Sequence, residues 1–318
     1  MSERESRLRS LAEELLASGQ VRTFIGFGPG YEPSRPLPWF AQDPAGAAQL
    51  LLNPFCGATL ARYLLDDGSP GPVGVLARGC DGLGIERLLA DRRVSRDRVH
   101  VVGVTCRGAV DPDKAYREAG DTPLSAELEG ERVLLTTASG TREFPRASCL
   151  YDRCLSCADP SPRWADDWLD EPLPPGKREF PDVAGLEQQD ADRRYAFWTR
   201  QFSRCLRCHA CRQACPACHC VSCSLDHPEW LDGGISLDNN FMYHFTRAYH
   251  VAGRCIACGE CQQACPAQIP LMLLNDKFMR DIRDLFGVCH PHRPQEKEPL
   301  GQFCPDDPEG WREGGAQP

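Results

Sequence analysis

Two cysteine runs constrain this chain more than any other feature: Cys205-Leu-Arg-Cys208-His-Ala-Cys211-Arg-Gln-Ala-Cys215-Pro216 and Cys255-Ile-Ala-Cys258-Gly-Glu-Cys261-Gln-Gln-Ala-Cys265-Pro266. Both read C-x2-C-x2-C-x3-C-P, an iron-sulfur pattern. Spacings of two let successive thiolates curl round one corner of a cubane, and the fourth cysteine, followed by a chain-turning proline, commonly ligates the other cluster of a pair. The spacing therefore predicts one 4Fe-4S cluster on Cys205, Cys208, Cys211 and Cys265, and a second on Cys255, Cys258, Cys261 and Cys215. Zinc also takes four thiolates, but a zinc knuckle requires neither a third cysteine at the same spacing nor a Cys-Pro close.

A chain of 318 residues is long enough for two domains. Its 19 cysteines would suit a secreted disulfide scaffold, yet Met1 to Gly19 is charged and lacks the apolar core of a signal peptide. Leu8, Leu11 and Leu15 suggest a short amphipathic helix there instead. No run approaches the length of a membrane span. The expectation is a cytoplasmic protein with thiols reserved for metal. The net charge of −9 is uneven: residues 191–290 hold 11 Lys and Arg against 9 Asp and Glu, so the remainder carries −11. Arg204, Arg207, Arg212 and Arg254 flank the cysteines, where positive charge favours the more negative, reduced state of a cluster. An acidic chain without a basic stripe is not expected to bind nucleic acid.

The N-terminal half reads as an α/β domain with a mixed sheet, residues 1–157. Val21 to Phe27, Val73 to Ala77, Val99 to Val104 and Val133 to Thr137 are short apolar runs, and Gly84 to Asp91 has helical patterning between two of them. Ala45 to Leu65 looks helical apart from a break at Asn53-Pro54. Gly26-Phe-Gly-Pro-Gly30 is too proline-broken for a dinucleotide fingerprint. Residues 158–190, rich in proline, aspartate and glycine, read as a linker. Residues 191–290 read as a mostly α-helical dicluster ferredoxin domain. In it Tyr195, Trp198 and Phe202 share one stripe, Phe241, Phe245, Tyr249 and Ala252 a second, and Leu271, Leu274, Phe278, Ile282 and Leu285 a third that Gly287 closes. Residues 291–318 read as an extended tail that orders on a partner. The two cysteine runs form an internal repeat offset by 50 residues. Their helix-flanked arrangement resembles the α-helical ferredoxin type.

Four further cysteines sit where sites commonly form. Cys80 and Cys106 each follow an apolar strand beside glycine, and Cys154-Leu-Ser-Cys157 is a C-x2-C pair in a loop. These four thiolates either converge on a third cluster or are ordinary buried thiols, the commoner fate of a single free cysteine. The stretch Gly79-Cys80-Asp81, Val104-Thr-Cys106-Arg-Gly108 with Asp111-Pro112, and Cys154-x2-Cys157 resembles the beta-subunit family of deazaflavin-reducing hydrogenases and formate dehydrogenases. The resemblance runs on to the tail at Pro299-Leu300-Gly-Gln-Phe303 and Asp306-Asp307-Pro308. It implies that Cys80, Cys106, Cys154 and Cys157 hold a third 4Fe-4S cluster. It also implies that the partners are a formate dehydrogenase or hydrogenase catalytic subunit, or a heterodisulfide-reductase-like flavoprotein. Many FAD-binding members carry a Gly-Gly pair where this chain has Asn53-Pro-Phe-Cys56-Gly57, so FAD remains open as a cofactor.

Cys218-His-Cys220-Val-Ser-Cys223 is a further trio, able to take zinc or another cluster with His219 or His227, or to be loop thiols. Cys56, Cys149, Cys289 and Cys304 match no ligand position. No P-loop, metallohydrolase motif or Ser-His-acid constellation is present. The expected function is electron transfer through 4Fe-4S clusters within an oxidoreductase complex, without catalysis by the chain alone. The rivals are an FAD-containing enzyme reducing a deazaflavin or nicotinamide, and a scaffold with structural metal.

Overall fold

The computed structural model describes residues 2–65, 71–231, 233–287 and Leu300. The first layer is a five-stranded mixed sheet in the order β2-β1-β3-β4-β8, built from β1 (Thr23–Gly28), β2 (Leu37–Ala41), β3 (Val73–Ala77), β4 (Val99–Gly103) and β8 (Asp167–Trp168). Only the β1–β2 pair is antiparallel. Strands β1 and β3 are buried along their whole length, as continuous apolar strands covered on both faces should be. The expected amphipathic N-terminal helix is α1 (Glu3–Ala17). Ser2 caps it by accepting from the Glu5 amide, and Leu8, Ala12 and Leu15 enter the core. The second sheet is an antiparallel meander of β5 (Ser125–Glu129), β6 (Arg132–Thr137) and β7 (Gly140–Pro145). The Val133 to Thr137 strand therefore lies outside the main layer and packs with α4 (Pro112–Ala119) around its own core, which includes Val110 and Leu150.

Two stretches depart from expectation. Between Ala45 and Leu65 the chain forms only a one-turn α2 (Pro44–Ala47) and a 3-10 turn over Ala61–Leu65. The intervening backbone is held by side chains from elsewhere: Glu5 accepts from the Leu52 amide and Asp81 from the Leu60 amide. The stretch read as a linker, 158–190, contributes β8 and the buried Leu169 to the sheet layer, then α7 (Pro181–Glu187) with Phe180 and Val183 to the second core. Its partners are polar and long-range, as where Asp166 accepts from the Val101 amide, so no periodicity announces it.

The second half is helical: α8 (Ala191–Phe202), α10 (Leu237–His250) and α12 (Leu271–Phe286) surround the cysteine runs, whose ends form the single turns α9 (Ala210–Gln213) and α11 (Glu260–Gln263). Trp198, Phe202, Tyr243, Ile269, Leu271 and Met272 form its core. The remaining turns, α5 (Arg146–Cys149) and α6 (Asp152–Leu155), lead the second sheet into the Cys154 loop. Cys289, Cys304 and nearly all of the expected tail lie outside the described residues.

Candidate iron-sulfur centres

Both cysteine runs fold in the same unusual way. Arg207 and His209 flank Cys208 with φ of 51° and 61°, and Ala257 and Gly259 flank Cys258 with φ of 57° and 72°. Left-handed backbone is unfavourable for residues other than glycine. Its recurrence at matching positions of two runs marks a shared requirement: a bend that turns backbone amides toward the thiols. The Arg207 amide donates to Cys205 Sγ at 3.4 Å.

The bend gathers the cysteines into two separate cavities. One is walled by Cys205, Cys208, Cys211 and Cys265, with His209, Tyr243 and His244. The other is walled by Cys255, Cys258, Cys261 and Cys215, with Arg247, Met272 and Asn275. Each cavity thus takes three thiols from one run and the Cys-Pro cysteine of the other. The surroundings supply further donors. Asn275 Nδ2 donates to Cys261 Sγ at 3.3 Å, and His244 Nε2 lies 3.2 Å from Cys205 Sγ. Burial, then Arg247 and Arg207, push the His244 imidazole down to about 3, so it is neutral.

Arg247 is the residue that sequence reasoning missed. It is buried, donates to the Cys211 carbonyl at 3.0 Å, and pairs with no carboxylate among the described residues. Its Nε has no partner. A lone buried guanidinium is costly unless anionic groups offset it, and ligand thiolates of a cluster would do so. Of the flanking arginines, Arg212 and Arg254 instead pair with Asp226 at 2.6 Å and Asp91 at 2.5 Å. Arg207 lies over the Tyr243 ring, and Arg204 turns to Gln201 and the Gln268 carbonyl.

The third set also converges. Strands β3 and β4 are neighbours and parallel, with Ala77 opposite Gly103, so Cys80 and Cys106, each three residues on, emerge at one sheet edge. Arg78, buried between them, pairs with Asp81 at 2.8 Å and fixes the turn from β3 into α3 (Gly79–Ala90). The Cys154 loop closes over this edge, the Ala109 amide donating to Cys154 Sγ at 3.4 Å. Cys80, Cys106, Cys154 and Cys157 line one cavity of about 430 Å3 together with Arg78, Arg107, Arg146 and Arg153. Burial pushes the Cys80, Cys106 and Cys157 thiols up, Cys157 to about 11, so iron ligation is what would hold them as thiolates. Four thiols in a cationic wall fit an anionic cluster. Cys258 lines this cavity as well as its own, and Cys80 packs against Leu83, Ile256 and Cys258.

Cys218, Cys220 and Cys223 line a separate cavity with His219, and no fourth cysteine joins them there among the described residues. Cys218 is tied to Cys215 by a hydrogen bond that pulls the Cys215 thiol down to about 6 against burial, which pushes it up. Cys220 is exposed, and His219 bonds Asp91 at 2.7 Å. Among the described residues no three His, Cys, Asp or Glu side chains meet as they would round a single metal ion. Cys56 and Cys149 are buried core thiols, Cys56 pushed up to about 12 by burial. The Asn53 to Gly57 stretch is filled by protein: Phe55 and Cys56 are buried, and Arg78 donates to the Cys56 carbonyl.

Residues 201–269 match the model of the 4Fe-4S dicluster domain. Over 313 aligned residues the chain is 26% identical to the F420-dependent formate dehydrogenase 1 subunit beta of Methanococcus maripaludis, covering 78% of this chain and 79% of that one. It is 22% identical to the F420-dependent formate dehydrogenase subunit beta of Methanocaldococcus jannaschii, over 73% and 76% of the two chains. This chain is related to those beta subunits. The relationship spans the α/β half as well as the dicluster half. Among solved structures, a chain from the xenon-derivatised F420-reducing NiFe hydrogenase complex of Methanosarcina barkeri is similar at a TM-score of 0.40 and 18% identity. The match covers 48% of this chain and 58% of that one, a likeness too low to carry an argument of its own. Among the described residues no helix is long and apolar enough to cross a membrane.

Proposed function

We propose that this relative of formate dehydrogenase beta subunits is a cytoplasmic iron-sulfur electron-transfer subunit. It would pass single electrons to or from the catalytic subunit of a formate dehydrogenase or hydrogenase-type complex, or a heterodisulfide-reductase-like flavoprotein. The observation that carries the reading is the gathering of twelve cysteines into three separate cavities, two of which share the wall residue Cys258. In that reading 1–157 is the beta-subunit-like domain, 158–190 joins it to a dicluster domain of 191–290, and 291–318 is a partner-facing tail.

Cys205, Cys208, Cys211 and Cys265 would hold one cluster, Cys255, Cys258, Cys261 and Cys215 a second, and Cys80, Cys106, Cys154 and Cys157 a third. A 4Fe-4S cluster supplies one-electron chemistry at a potential set by charge, hydrogen bonds to sulfur and burial. The chain supplies those three controls. Arg247 and Arg78 place buried positive charge beside thiols, Asn275 and the Arg207 and Ala109 amides donate to sulfur, and Phe202, Tyr243 and Met272 exclude water.

The flavoenzyme reading lacks comparable support, since within the Asn53 to Gly57 stretch Arg78 holds the Cys56 carbonyl and Tyr151 packs against Gly57. The experiment that separates the two uses anaerobically purified full-length protein. The electron-transfer reading predicts a brown absorbance that bleaches with a chemical reductant, with no steady formate or nicotinamide turnover by the chain alone. Released FAD together with steady turnover would replace it with the flavoenzyme.

A further inference from the structure

Where the two halves of the chain meet lies a cavity of about 610 Å3 that none of the three four-cysteine sets lines, although Cys218, Cys220, Cys223 and His219 do. Its size is that of small-molecule sites. Arg62 and Arg93 reach it from the first half, and Arg212, Arg247 and Arg254 from the second; among the described residues Asp226 is the one carboxylate in its wall. Asp226 and Asp91 are taken up by Arg212 and Arg254. Arg93 and the buried Arg247 pair with no carboxylate among the described residues. Leu65, Tyr249 and Val251 add apolar wall beside them.

We propose that this cavity binds a phosphate-bearing small molecule. Guanidinium groups present planar forks that match phosphate oxygens bidentately, and a concave site with cationic walls concentrates anions. The two halves supply arginines from both sides, so a phosphate group seated here would be gripped across the junction. Ala217, Arg247 and Val251 wall both this cavity and that of Cys215, so the two lie back to back. The inference stands apart from the cluster assignment, because its readout is binding and not electron transfer.

The test is calorimetric titration of full-length, iron-loaded protein with inorganic pyrophosphate, ADP and adenosine. Pyrophosphate and ADP are expected to saturate at one per chain, with affinity falling as salt rises, and adenosine to bind at least tenfold more weakly than ADP. Arg93→Ala, an exposed change that should not disturb folding, is expected to weaken ADP at least tenfold at unchanged iron content. Arg93→Lys should recover part of that loss, and Arg117→Ala, an exposed arginine on α4, should change nothing. Equal binding of ADP and pyrophosphate points to a free anion, and tighter ADP points to a nucleotide. Absence of binding by both, or equal weakening by the Arg93 and Arg117 variants, overturns the proposal.

Discussion

Arg153 ties the α/β half to the dicluster half: its Nη1 donates to the Cys258 carbonyl at 2.6 Å and pairs with Glu260 Oε1 at 2.8 Å, while Nη2 donates to the Gly57 carbonyl. Glu260 in turn accepts from the amide and hydroxyl of Thr59. The aliphatic stem of Arg153 lies against Gly259, where a Cβ would come within 2.6 Å of Arg153 Cδ and the φ of +72° would be strained besides. The Arg153 side chain is buried and that of Glu260 mostly so, at 8% and 12% exposure. Removing one partner of such a pair leaves the other charge uncompensated, at a cost of about 3–5 kcal/mol. Arg153→Ala should therefore lower stability by that order in anaerobic denaturant unfolding, and Arg153→Lys by less. Unchanged unfolding in Arg153→Ala would mean that the two halves are held elsewhere.

Cys215 faces Cys255, Cys258 and Cys261 across a cavity and is absent from the one that holds its own run. Cys215→Ser should then alter the magnetic-resonance signal of the cluster on Cys255, Cys258 and Cys261. The signal of the Cys205, Cys208 and Cys211 cluster should persist. Damage confined to the signal of the Cys205, Cys208 and Cys211 cluster would contradict the crossed arrangement.

Arg247 places an unpaired positive charge beside Cys211, Cys215 and Cys261. Positive charge stabilises the reduced, more negative state, so its removal disfavours reduction. Arg247→Met should shift at least one dicluster potential negative by roughly 60 mV, a tenfold change in a one-electron equilibrium. Redox titration followed by magnetic resonance reads this directly, with iron content as the control for folding.

Much of this site was legible in the sequence, because cysteine spacing encodes ligand geometry locally. The two runs and the strand-end cysteines need only a few neighbouring residues and a sheet register to come together. The apolar runs implied that these strands share one sheet, and β3 and β4 are paired in it, in parallel. What stayed hidden depends on contacts distant in sequence. Arg247 lies off the helix stripe of Phe245 and Tyr249 and so reads as a surface charge, whereas in the fold those two aromatics are exposed and Arg247 is buried with Tyr243 and Ala248 against the cysteines. Residues 158–190 look like a linker because their order comes from single polar bonds, such as Cys106 N to the Pro160 carbonyl and Arg178 to Asp276.

At Gly79 an added Cβ would overlap the Asp159 carbonyl oxygen, so Gly79→Ala must displace either the Cys80 turn or the loop after Cys157. Signals of the dicluster pair should survive this change while that of the third centre is weakened or lost. An unaltered third signal would show that the turn accommodates a side chain freely.

If the α/β half carries its own cluster on Cys80, Cys106, Cys154 and Cys157, iron content will report it. Full-length protein reconstituted anaerobically should hold roughly twelve irons per chain, four for each cubane. Replacing Cys154 and Cys157 by serine should leave about eight, with the dicluster signals intact. Equal iron in the two proteins would contradict the account and return Cys80 and Cys106 to the role of buried thiols.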